Sequence, residues 1–310
     1  MPFWLSIACL SAFQGVLVAL PARLDAPALT RLRGGAWALV LPVSIVAFVL
    51  IARAAESASA EGLTYLALVA VPPLAALALG GLARGGRPRA AVLMAALFAL
   101  AWADRAGLAG EGAATVLSGL SCVALGALLG AITPRRWLAA GILAMAAADT
   151  FFVVSDLLQA PNDALNAARP AAGLPRLQSE TFGSAVMGYG DIFVAAVFGG
   201  MLAAEGAATG PGSQTISRWA PALLVAFLAM AFDLLFFAVD ELPATVPVAV
   251  ALCMLELSRW RSRTGTPTGR SSAAPDRPEA RRRAGRPDSR APAPREDSHR
   301  ARPASRSPAP

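Results

Sequence analysis

The stretch SAVMGYGDIFVAAVFGGML, residues 184–202, decides how this chain is read. It is apolar enough to be a membrane helix, yet Asp191 lies inside it, behind Gly188 and Gly190. A carboxylate in hydrocarbon is costly, so an acid in such a place marks a functional site by default and calls for a partner.

Composition sets the surroundings of that acid. Of 310 residues, 56% are hydrophobic and only 15% are charged, which is too apolar for an ordinary soluble domain and fits a polytopic membrane protein. All basic residues are arginine and alanine dominates the apolar set, a bias read here as that of a GC-rich, bacterial genome. The net charge of +7 belongs to one end of the chain. From Arg259 onward fourteen arginines face five acids, leaving thirteen arginines against fifteen acids before it. Residues 261–310 are rich in Pro, Arg, Ser and Ala, cannot bury enough surface to offset their ordering entropy, and are expected to be disordered. They read as a solvated cytoplasmic tail, with a contact to anionic lipid headgroups as the functional variant; no nucleic acid partner is expected.

Cys9, Cys122 and Cys253 all sit in apolar runs with no metal-ligand spacing, and the single histidine, His299, is in the tail. His-based catalysis and a His-ligated metal are therefore excluded from the body of the chain, and no cofactor is expected.

A spanning helix needs roughly 20 mostly apolar residues. Nine segments qualify: 3–20, 36–52, 63–83, 89–103, 113–132, 137–158, 183–204, 219–239 and 243–259. The expected fold is an all-α bundle of nine transmembrane helices, with helices 1–5 in residues 1–135 and helices 6–9 in residues 136–260. The n-region MPFW carries no positive charge, so the first segment reads as an uncleaved helix rather than a signal peptide. Arginines cluster after spans 1, 3, 5 and 9, whereas the alternate connections are neutral or acidic. By the positive-inside rule this puts the N-terminus outside and the tail in the cytoplasm, with the bacterial cytoplasmic membrane as the location.

Three acids fall within spans: Asp149, Asp191 and Asp233. Span 6 runs outward with Asp149 roughly 14 Å below its outer end, and span 7 runs inward with Asp191 roughly 12 Å deep, at about 1.5 Å per residue. Asp233 comes out shallower, at about 10 Å. Two carboxylates at matching depth on consecutive antiparallel helices cannot both ionise easily, so the pair shares a proton. One member can then activate water while the protonated one polarises a peptide carbonyl. Gly188 and Gly190 remove side chains where a substrate backbone would have to approach. Tyr189 belongs to the same turn, although it and Phe193 also fit packing between helices. The pair Gly126 and Gly130 suits close helix contact inside the bundle.

Gly188-Tyr189-Gly190-Asp191 followed by Ile192-Phe193 resembles the GxGD signature of the intramembrane aspartyl proteases, presenilins and signal peptide peptidases. The preceding LPRLQSETFGSAVM is similar to the run ahead of this motif in signal peptide peptidases. Ala148-Asp149 stands where the family has Tyr-Asp, and Pro243-Ala244-Thr245 stands where it has Pro-Ala-Leu at the start of the ninth span. The resemblance covers about residues 140–257. It implies an aspartic endopeptidase that cleaves transmembrane segments of peptides or proteins. Asp149 and Asp191 would be the catalytic pair, and Gly188, Tyr189, Gly190, Pro243, Ala244 and Thr245 would lie along the substrate.

Two other readings stay open. In SDLLQAPNDAL (155–165), Asp156, Pro161 and Asn162 superficially match the first motif of prepilin peptidases. However, residues 162–182 are too polar and Pro-broken for the helix that should separate that motif from GxGD. A proton- or cation-coupled transporter could also use the three intramembrane acids. Finally, Asp191 could simply be an acid in the first turn of a helix that begins near Gly190, where the helix dipole favours negative charge.

Overall fold

The computed structural model describes residues 1–54, 56–168, 170, 173–205, 214–237 and 242–264. Of the tail expected to be disordered, residues 261–264 are instead the last turn of a helix, and residues 265–310 lie outside the described residues. The chain is mostly helical: α1 Phe3–Ala19, α2 Pro27–Thr30, α3 Val40–Ala54, α4 Glu56–Leu77, α5 Leu93–Ala103, α6 Leu108–Ile132, α7 Arg135–Val154 and α8 Gln159–Ala167. A hairpin of β1 Ser179–Phe182 and β2 Ala185–Gly188 then leads into α9 Tyr189–Glu205, α10 Gln214–Asp233 and α11 Val246–Thr264. A helix covers most of each expected span. Among the described residues, however, only four are long and apolar enough to cross a membrane: Gly35–Ala54, Ala58–Leu82, Leu108–Ile132 and Arg135–Val154. Phe3–Ala19, Pro88–Ala103 and Trp219–Asp233 are apolar but shorter.

α6 is the centre of the bundle, buried along most of its length and packed against α4, α5, α9 and β1. Glycines let it approach α9 this closely. A Cβ on Gly126 would strike the Ala196 carbonyl, and one on Gly130 or Gly200 would strike backbone of the facing helix. Gly199, on the next face of α9, meets the Val18 carbonyl of α1 in the same way. Contacts of this kind replace the hydrophobic drive that is missing between helices in lipid. Outward-facing positions carry large apolar side chains such as Val69, Leu66, Leu223 and Phe227, as a lipid-embedded bundle requires.

α7 packs on α3 and touches α9 and α11. One end of this helical group is tied by ion pairs: Arg135 at the start of α7 meets Glu205 and Glu256, and Arg259 meets Glu205 at 2.8 Å and Glu256 at 3.3 Å. The start of α7, the end of α9 and the last turns of α11 therefore converge.

The expected seventh span begins differently from its hydropathy. Residues 179–188 form a two-stranded antiparallel hairpin, with Ser179 opposite Gly188 and Phe182 opposite Ala185. The two-residue turn Gly183-Ser184 places Gly183 at φ +64°, a conformation glycine adopts without steric cost. Glu111, in the first turn of α6, accepts the Gly183 N–H at 2.7 Å and pins the turn to the bundle. The helix starts only at Tyr189, because the six residues before it belong to the turn and β2.

Candidate functional site

Late start of α9 puts Asp191 in its first turn, where its Oδ2 accepts the Gly188 N–H at 3.2 Å. This is half of a capping box: an acid at the third helical position reaching back to the residue before the helix. It also explains Gly188 locally, since a Cβ there would lie 3.1 Å from Asp191 Oδ2. The helix-terminus reading of Asp191 therefore holds for both the backbone and the capping bond of its carboxylate.

Asp149 lies five residues before the end of α7 and is 6% exposed. Asp149 and Asp191 lie close enough to interact electrostatically. Gly190 faces the side of α7 one turn below Asp149, where a Cβ would touch the Met145 methyl at 3.5 Å. Thr245, just ahead of α11 and 1% exposed, donates its hydroxyl to Asp149 Oδ2 at 2.6 Å. Three helices therefore bring together Asp149, the GxGD turn and the Pro243-Ala244-Thr245 turn. Pro243 and Thr245 are buried, and Ala244 is half-buried. Beside them, an open apolar groove between α7 and α11 is lined by Ala146, Thr150, Phe151, Val154, Val246 and Ala249.

Tyr189 turns the other way, toward α6, where its hydroxyl and that of Ser121 are 2.7 Å apart. Phe193 is buried in the core. Asp156 and Asp163 are exposed beyond α7, away from this cluster. Asp233, at the end of α10, receives the Ser11 hydroxyl at 2.5 Å and so finds its partner on α1.

Two buried polar residues escaped the sequence reading. Glu180, on β1, is 1% exposed, and among the described residues neither of its carboxylate oxygens has a hydrogen-bond donor within bonding geometry. Ser118 on α6 interacts with it, but its hydroxyl donates to the Leu177 carbonyl at 3.2 Å. Burial pushes the Glu180 carboxyl well above the usual carboxylate range, and the neighbouring Asp191 charge adds to the shift. The second is Gln14 on α1, completely buried and bonded to the backbone of both α9 and the turn before α11. A lone glutamine in an apolar span is a legible signal, since an unpaired buried amide is costly. So is the Gly-Ser pair between two short strand-like runs, which marks the hairpin that carries Glu180.

The chain matches no family model, no curated protein and no solved structure.

Proposed function

We propose that this membrane protein is an intramembrane aspartyl protease of the presenilin and signal peptide peptidase type, built on nine spans with its N-terminus outside. The observation that carries the reading is the convergence of α7, the first turn of α9 and the turn before α11, which sets Gly190 of the GxGD turn against Met145, one turn from Asp149, and puts the Thr245 hydroxyl on Asp149. Two carboxylates that share a low-dielectric site hold one proton between them. The carboxylate member takes a proton from water as it attacks the peptide carbonyl, and the protonated member donates to the carbonyl oxygen. Roles then reverse, and the proton passes to the leaving amine. The groove between α7 and α11 opens beside Asp149 and suits the lateral approach of an apolar substrate segment.

The test is cleavage of a helical reporter substrate by purified protein in detergent, with an aspartyl transition-state analogue as control. Asp149→Asn and Asp191→Asn are expected to lose cleavage by at least about a thousand-fold, as removal of a member of a catalytic unit does. Normal cleavage by either variant would falsify the mechanism. Loss of proton-coupled uptake in both variants, with no cleavage by the parent protein, would favour a transporter instead.

A further inference from the structure

α1 carries a polar side chain, Gln14, among its buried positions. Gln14 is fully buried. Its amide nitrogen donates to the Ala244 carbonyl at 3.0 Å and to the Asp191 carbonyl at 3.3 Å. Both partners are acceptors only, so the amide can face them solely with its NH2 group. The other end of the amide, Oε1, is buried and accepts no hydrogen bond within the described residues. Burying an amide with one capacity unmet is unfavourable, whereas a leucine or methionine would fill similar space without that cost. What the glutamine supplies, and an apolar side chain cannot, is the pair of bonds to two main-chain carbonyls.

Those two carbonyls belong to the two sides of the candidate site. Asp191 is in the first turn of α9; Ala244 immediately precedes Thr245, whose hydroxyl is on Asp149. A continuous connection thus runs from the Asp191 backbone through Gln14 to Ala244, then through Thr245 to the Asp149 carboxylate. One turn further along α1, Val18 meets Gly199 of α9 with no room for a side chain between them, so the reach of Gln14 is set by rigid backbone contact.

We propose that Gln14 is a positioning residue for the aspartate pair: it holds the GxGD turn and the Pro243-Ala244-Thr245 turn at one separation, so that both carboxylates address the same water. The inference rests on the protease reading above. Geometry of this kind affects rate more than binding, because displacing a reacting group by about 1 Å can cost a hundred-fold.

The experiment compares the parent protein with Gln14→Leu, Gln14→Met and Gln14→Glu in the reporter cleavage assay, with thermal melting measured on each. Gln14→Leu and Gln14→Met are expected to lower kcat roughly ten- to hundred-fold with KM changed less than about two-fold. Their melting temperatures should equal or exceed the parent's, since a buried unsatisfied group has been removed. Gln14→Glu keeps the shape but donates only while the new carboxyl is protonated. Its activity should therefore fall on raising the pH across a range where the parent stays active, as the new charge builds up beside Asp191. An unchanged kcat in both apolar variants, or a parent-like pH profile in Gln14→Glu, overturns the positioning role while leaving the protease reading intact. A lower melting temperature with kcat and KM falling together means a structural role only, and overturns it too. Absence of inhibitor-sensitive cleavage by the parent protein defeats the protease reading itself.

Discussion

The Thr245 hydroxyl donates to Asp149 Oδ2 at 2.6 Å, inside a site where both residues are almost fully buried. A hydrogen bond to a charged group is worth about 1.5–3 kcal/mol when buried. Here it also restrains the orientation of the carboxylate. Residue 245 therefore belongs to the aspartate pair as much as to any substrate wall.

Thr245→Val keeps the shape and removes the donor, so its cleavage rate is expected to drop roughly ten- to hundred-fold. Thr245→Ser keeps the hydroxyl and should stay within a few-fold of the parent. Initial rates on the reporter substrate decide the matter: equal rates for Val and the parent would make the bond incidental.

Gly200 and Gly62 give opposite expectations for the same substitution. Each lies within a helix, and alanine in place of glycine favours a helix by about 0.8–1.0 kcal/mol. Gly62 is exposed on α4 with open space around it, so Gly62→Ala should raise the melting temperature slightly. At Gly200 the added methyl would fall on the Gly126 carbonyl of α6. Overpacking there costs about 1–3 kcal/mol and outweighs the propensity gain. Gly200→Ala should therefore melt lower than the parent in the same detergent, and an equal or higher value would mean that the α6–α9 contact is looser than described.

What was legible in the sequence followed hydropathy and spacing. Apolar runs located the helices, Gly126 and Gly130 marked close packing, and antiparallel succession paired Asp149 with Asp191. Spanning length was less legible, because apolar runs were counted without their turns: residues 183–188 are apolar but fold into the hairpin, so α9 starts at Tyr189. Hydropathy averages also cannot show where a side chain points. The motif implies a place along the substrate for Tyr189, whereas its hydroxyl meets that of Ser121 on α6. Gln14 and Glu180 depend on contacts more than 160 residues and about 60 residues away in the chain, respectively, and no local pattern carries those partners. Hydropathy places Asp233 within a span, but its partner Ser11 is 222 residues distant.

Glu180 makes stability depend on pH in a direction that can be worked out. Its carboxyl is held well above the usual range, first by burial and then by the Asp191 charge. The native state therefore binds this proton more tightly than the unfolded chain does, whose glutamates titrate near about 4.3. The contribution to stability is complete below that value and is lost progressively as pH rises toward the raised native one. Glu180→Gln has nothing to ionise and keeps a polar group of the same shape. Thermal melting in detergent from pH 4 to 8 should show the two proteins close together at the acid end, with the variant increasingly the more stable as pH rises. Asp191 is an electrostatic neighbour, so the comparison is repeated in an Asp191→Asn background, where the gap should narrow but keep its sign. A gap that does not change with pH, or that favours the parent protein at pH 8, would show that Glu180 is charged in the native state and has a donor or cation beside it.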